Sequence, residues 1–268
     1  MFDSGIGGLT VLKAIMEGLP HERVVYFGDT ARLPYGTKSK GTVTRFAREI
    51  VSFLMGRDPK MIVVACNTAS AYSLPELQAA LDIPVVGVIE PGAAAALKAT
   101  RNGTIGVIGT RATIQSNAYL EAIQAKQPGA KVFSKACPLF VPLIEEGWID
   151  RKETQDIADE YLRHLVECGV DTLILGCTHY PLLKPVLSAV MGDGVVLVDS
   201  AEATAADVRA LLAQNAMLSP SLAGARCEIY VSDMHLNLRL QAERFLGLGI
   251  PRIRVVDSEF EEVELQGI

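Results

Sequence analysis

The feature that most constrains this chain is a repeat. An apolar segment ending in cysteine and two small polar residues occurs twice, as Ile62-Val-Val-Ala-Cys66-Asn67-Thr68 and as Leu173-Ile-Leu-Gly-Cys177-Thr178-His179. Other features keep step with it. Phe2-Asp3-Ser4-Gly5 leads the first copy by nearly the interval at which Ile108-Gly109-Thr110 leads the second. Val88-Ile89-Glu90 and Leu197-Val198-Asp199 follow them at similar distances. Self-similarity on this scale implies two related structural units rather than one irregular domain.

The units read as α/β. Short, β-branched apolar runs are expected as strands at Val24–Phe27, Met61–Ala65, Val85–Ile89, Thr104–Ile108, Thr172–Gly176, Val195–Val198, Glu228–Val231 and Ile253–Val256. Between them, apolar residues recur at helical spacing, as in Val43, Phe46, Ala47, Ile50, Val51 and Leu54, and again in Ile157, Tyr161, Leu162, Leu165 and Val166. Nearly continuous apolar strands separated by helices imply mostly parallel sheets covered on both faces. The expected fold is two pseudo-symmetric, doubly wound lobes with the active site in the interlobe cleft. The first lobe takes residues 1–91 and 207–268, and the second 92–206. Ligands of such sheets bind outside the carboxyl ends of strands, where both cysteines fall.

Composition removes several alternatives. A formal net charge of −6 argues against a general nucleic-acid binder. Five cysteines form no disulfide framework of the secreted kind. No apolar run approaches the roughly 18–20 residues that span a bilayer, and no signal peptide is visible, so a soluble cytoplasmic protein is expected. Gly5, Gly7 and Gly8 lack the Lys-Ser/Thr that completes a phosphate loop, and a tight turn or close backbone approach explains them.

A thiol at a strand end, beside a helix N-terminus, is placed for activation. One such cysteine is ordinarily a buried small hydrophobe. Two in matched positions of matched lobes have no packing explanation. Two thiols facing one cleft suit proton transfer on opposite faces of a carbon, because inversion through a carbanion needs a base on one side and an acid on the other. Disulfide exchange is the weaker reading, since neither site is C-x-x-C, and two Cys with one His make a thin metal-ligand set. Cys137, Cys168 and Cys227 read as structural, with Cys168 at a helix end before Gly169.

The segments FDSGIGGLTVL, GDTARLPYG, VVACNTAS, IEPG, IGVIGTRAT, FVPLIEEGW and LILGCTHYPLL occur in the order and spacing of the glutamate racemases, and the chain resembles that family from Phe2 to about Asp207. The resemblance implies that Cys66 and Cys177 are the acid/base pair, with Asp3 supporting Cys66, and His179 and Glu145 supporting Cys177. It assigns substrate binding to Asp3, Ser4, Tyr35, Gly36, Asn67, Thr68, Thr178 and His179, with further contacts from Thr110 and Thr113. It implies glutamate as substrate, no pyridoxal phosphate or other cofactor, no metal, a homodimer, and D-glutamate supplied for peptidoglycan.

Alternatives stand beside these roles. Asp3 could cap the helix expected near Gly7, Glu146 could replace Glu145, and Lys38, Lys40, Arg45 and Arg48 read as a solvated helix face. The activity itself has three rivals: an aspartate racemase of the same superfamily, a two-lobed anion-binding protein and a thiol redox enzyme. One departure from the resembled family is evident, since its members carry a strand ahead of FDSG, whereas only Met1 and Phe2 precede Asp3 here. The strand presenting Asp3 is therefore expected to be almost absent.

Overall fold

A computed structural model of the chain describes residues 1–220, 226–234, 237–247, 252–257 and 260–263. The chain begins with β1 (Phe2–Asp3), α1 (Leu9–Gly18), β2 (Arg23–Gly28), α2 (Lys40–Met55), β3 (Ile62–Val64), α3 (Asn67–Ala80) and β4 (Val85–Gly87), and then crosses through α4 (Ile89–Ala99). A second series follows: β5 (Thr104–Gly109), α5 (Arg111–Gln115), α6 (Ala118–Lys126), β6 (Lys131–Ala136), α7 (Phe140–Glu145), α8 (Lys152–Glu167), β7 (Thr172–Gly176), α9 (Lys184–Met191) and β8 (Val196–Asp199). The chain returns through α10 (Ser200–Gln214) and ends in β9 (Arg226–Val231), α11 (Leu238–Leu246), β10 (Ile253–Val256) and β11 (Glu262–Val263).

The strands form two sheets, of order β11-β10-β9-β2-β1-β3-β4 and β6-β5-β7-β8. Every pairing is parallel except β10 with the terminal β11. The α/β expectation and the two lobes are thus observed. Observed strand boundaries differ by a residue or two, most at Val85–Ile89, where the strand stops at Gly87 and Ile89 already opens α4.

Local sequence explains the elements that frame the cleft. In α2 the Ser39 side chain accepts from Thr42 N–H as the N-cap, and Val43, Phe46, Ala47, Ile50, Val51 and Leu54 are all buried on one face. Each such side chain contributes roughly 1.5–3 kcal/mol of transfer free energy on burial. Arg45 and Arg48 point to solvent, as read from the sequence. In β3 and β7 every residue is buried, which fits strands central to parallel sheets. Cys168 stands at the end of α8, before Gly169 at φ +68°. The sequence missed β6, an edge strand whose Lys131 and Lys135 break the apolar run. Among the described residues no helix is long and apolar enough to cross a membrane, and no three His, Cys, Asp or Glu residues are grouped to hold a metal.

The short first strand is nevertheless a true strand. Phe2 pairs with Phe27 on one side and Val64 on the other, and Phe2 and Asp3 are fully buried. Since β2 extends back to Arg23, a hollow of about 450 Å³ lies between the early parts of β2 and β3, lined by Met1, Val24, Val25, Met61 and Ile62 among others. The Met1 ammonium donates to the Val25 carbonyl at 2.7 Å, and burial lowers its pKa from 8.0 to about 5.

Candidate active site

The two cysteine-bearing strand ends meet. Ser4, Leu33, Pro34, Tyr35, Gly36, Cys66, Asn67, Thr68, Thr110, Val141, Cys177, Thr178 and His179 line one cavity between the sheets, of about 30 Å³. Larger hollows exist, such as one of about 650 Å³ against α4, β8 and α10, but that one has no cysteine or histidine in its walls. Small size in the cleft reflects lobes closed on each other. A Cβ on Gly7 would overlap His179 and Thr178, and one on Gly36 would come within 2.6 Å of Thr110. Glycine at these positions is what lets the opposite walls approach.

Cys66 caps α3, its Sγ accepting from Ala69 N–H at 3.4 Å. Burial, and then the Asp3 carboxylate, push the Cys66 thiol up to about 12. Asp3 is itself raised above the usual carboxylate range by burial, against the lowering effects of His179 and of backbone N–H groups. It does not cap α1, whose N-cap is Gly8. Instead Asp3 Oδ2 accepts from Gly5 N–H at 3.0 Å, and Oδ1 accepts from Thr178 Oγ1 across the lobes at 3.4 Å.

Cys177 has a different neighbourhood. His179 Nδ1 lies 3.9 Å from its Sγ, and His179 Nε2 lies 3.2 Å from Glu145 Oε1. Burial alone would lower the His179 pKa, but the hydrogen bonds and charges of Cys177 and Glu145 outweigh it and raise it to about 10. The ring packs edge-on against Phe245 of α11, at a centroid distance of 5.1 Å. Gln241 of the same helix donates to the Glu145 carbonyl at 3.0 Å. Glu146 is exposed and is not the partner of His179.

The polar wall between the thiols is built across the lobes. Thr68, Thr110 and Thr113 hydroxyls close a ring with separations of 2.9, 3.1 and 3.0 Å. Asn67 Oδ1 accepts from Tyr119 Oη at 2.7 Å, while Asn67 Nδ2 is buried with no hydrogen-bond partner among the described residues. A buried donor left unpaired is costly, and at a cavity wall it indicates a place for an acceptor. Tyr35 lines the cavity, yet its hydroxyl turns away to Asp29, which also accepts from Arg32 Nε at 2.7 Å and Ser232 Oγ at 2.8 Å.

The structure thus gathers Asp3, Ser4, Tyr35, Gly36, Cys66, Asn67, Thr68, Thr110, Thr178, His179 and Cys177 at or against the cavity, with Thr113 and Glu145 one hydrogen bond behind. Cys137 is buried but outside the cavity wall, its Sγ 3.7 Å from the Lys135 carbonyl. Sequence reading missed the walls Leu33, Pro34 and Val141, and the supports Asp29, Tyr119, Gln241 and Phe245. Asp29, Leu33 and Pro34 lie inside the quoted GDTARLPYG, where only Tyr35 and Gly36 were singled out, and Val141 lies inside FVPLIEEGW; no motif marked Tyr119, Gln241 or Phe245.

Comparison with known proteins agrees with this arrangement. A model of the family Asp/Glu/hydantoin racemase matches residues 8–208. A glutamate racemase of Geobacter metallireducens is 53% identical over 262 residues, covering 98% of this chain and 97% of that protein. Among solved structures, a glutamate racemase isoform of Bacillus anthracis superposes with TM-score 0.93 at 42% identity, covering 97% of each chain. One from Francisella tularensis, in complex with D-glutamate, gives 0.89 at 41% identity over 95% of each. On sequence, fold and the pairing of two thiols in one interlobe cavity, the chain belongs to the Asp/Glu/hydantoin racemase family and, within it, to the glutamate racemases.

Proposed function

We propose that this protein interconverts L- and D-glutamate without a cofactor, by proton transfer between Cα and the two thiols Cys66 and Cys177. The observation that carries the reading is that two buried thiols, from matching strand ends of different sheets, line one cavity with an unpartnered amide donor between them. The solved relative holding D-glutamate supports the choice of substrate.

In one direction a thiolate takes the Cα proton and the electron pair moves onto the substrate carboxylate oxygens. The opposite thiol then delivers its own proton to the other face, and the pair ends with exchanged protonation. The reverse reaction uses the same groups in exchanged roles. Charge gathering on the carboxylate is the costly step, so donors aimed there matter most. Asn67 Nδ2, the Thr68 hydroxyl and the free N–H groups of the first turn of α3 supply them.

The two halves solve the thiolate problem differently. The imidazolium of His179, held by Glu145, gives Cys177 a counter-charge. Cys66 has the carboxyl of Asp3 instead, which favours the neutral thiol, the form that delivers a proton to Cα. Ser4, Gly36, Thr110, Thr113 and Thr178 complete the substrate walls. The cavity is smaller than glutamate requires, so the lobes must part to admit it. In the cell, D-glutamate made this way would serve peptidoglycan synthesis. The resemblance also supports a homodimer, for which sedimentation velocity should give about twice the 28.8 kDa chain mass.

Purified protein incubated with L-glutamate in D₂O, free of metal and pyridoxal phosphate, should lose optical rotation while deuterium enters Cα. Cys66→Ser and Cys177→Ser should each lower kcat by about 10²–10⁴-fold, the usual worth of a placed acid or base. Turnover of aspartate instead of glutamate would move the substrate assignment, and full activity in both serine variants would end the two-thiol reading. Separately, Glu145→Gln removes the negative partner that favours imidazolium, so the His179 pKa should fall from about 10. The alkaline limb of the kcat/KM profile should then begin at lower pH, and an unchanged limb would remove Glu145 from the mechanism.

A further inference from the structure

Resting on the activity proposed above, the geometry points to a positioning role for Tyr119. Tyr119 Oη donates to Asn67 Oδ1 at 2.7 Å, and this bond holds the Asn67 amide so that Nδ2–H is left for the substrate carboxylate.

An asparagine amide is nearly symmetric in shape but opposite in function at its two ends. With Oδ1 toward the cavity, Asn67 would repel a carboxylate; with Nδ2 there, it donates to one. The side chain is buried, so solvent cannot choose between the two states. Tyr119 can do so because its hydroxyl has one proton. The hydroxyl is buried, so its proton needs an acceptor, and Asn67 Oδ1 is the one it meets.

The setting of the ring is built for this placement. Tyr119 is almost wholly buried, and it reaches Asn67 of the first lobe from α6 of the second. A Cβ on Gly92 would lie 3.2 Å from Tyr119 Oη, and one on Gly176 would lie 3.2 Å from Tyr119 Cε2. Gly92 belongs to α4, and Gly176 is the residue before Cys177. The ring therefore sits in a slot between the crossing helix and the end of the cysteine-bearing strand β7. Ser200 opens α10, the return crossing, and is buried as well. Amide orientation at the active site thus depends on the first and second lobes and both crossings being correctly seated, which couples lobe closure to the readiness of the carboxylate donor.

Tyr119→Phe removes only the hydroxyl and keeps the ring. It is expected to raise KM for D-glutamate about ten-fold, since one oriented hydrogen bond to the substrate is lost, with a smaller change in kcat. In an Asn67→Ala background, Tyr119→Phe should add less than a further two-fold, because the group it orients is already gone. In wild-type protein the side-chain ¹⁵NH₂ pair of Asn67 should shift on addition of D-glutamate, and this response should be lost in Tyr119→Phe. Equal losses in both backgrounds would show a general structural role and overturn the inference, as would Tyr119→Phe kinetics within two-fold of wild type. Should Tyr119→Phe fail to fold, the wild-type spectrum decides: an Asn67 ¹⁵NH₂ pair that shifts with D-glutamate supports the inference, and a pair blind to D-glutamate refutes it. Wild-type protein that does not racemise glutamate would instead sink the underlying activity, which separates the two failures.

Discussion

The site depends on an apolar core that does not stop at the lobe boundary. Leu9, Val11, Leu12 and Ile15 of α1 share one buried cluster with Val208 and Leu212 of α10. The same cluster includes Phe140, Ile144, Leu183 and Leu187 of the second lobe and Phe245 and Leu246 of α11. Burial of this surface is non-directional and large, so it can press two sheets together without specifying their chemistry. It also removes water from the strand ends. Each ionisable group there then takes its protonation from its immediate neighbours rather than from solvent.

That desolvation acts on a near-symmetric frame and yields an asymmetric site. Cys66 and Cys177 follow β3 and β7, central strands of their respective sheets. Cys66 faces an acidic neighbour and is pushed up to about 12, whereas Cys177 has an imidazolium whose charge is anchored by Glu145. Inversion of a stereocentre needs two groups that are equivalent in geometry and opposite in protonation at any instant. Repetition of a strand supplies the equivalence, and dissimilar supports supply the opposition. A symmetric pair of supports would leave the two thiols competing for the same state.

Closure is secured by polar groups as well. Thr68 with Thr110 and Thr113, Asn67 with Tyr119, Asp3 with Thr178, and the Thr178 carbonyl with Thr10 all pair across the lobes. Such bonds form with good geometry only when the lobes are correctly seated, and a buried partner left alone is penalised. Parting the lobes for substrate must exchange these bonds for water, and closing restores them around the bound molecule. Substrate that fills the acceptor place beside Asn67 Nδ2 would therefore favour the closed arrangement.

The repeat, with continuous apolar runs alternating with helical patterns, was enough to foresee two parallel-sheet lobes and to place both thiols at strand ends, because apolar runs and their Cys-x-x termini are local properties. Resemblance added the names of the supporting residues. Sequence could not separate Glu145 from Glu146, since adjacent glutamates differ only in which face of a helix end they occupy; the seating of α7 against His179 decided it. Sequence also left Asp3 between a helix cap and a support for Cys66; in the fold Gly8 is the N-cap of α1, and Asp3 turns to Gly5 and, across the lobes, to Thr178. Edge strand β6, with its lysines, was invisible because pairing on one side needs little apolar pattern. Tyr119, Gln241 and Phe245 were not singled out, for they act through contacts between segments far apart in the chain. What the sequence by itself determined is therefore the pair of strand ends and their chemistry. What only the tertiary structure decided is their electrostatic difference and the orientation of the donors between them, because both arise from burial and from long-range hydrogen bonds that no local pattern encodes.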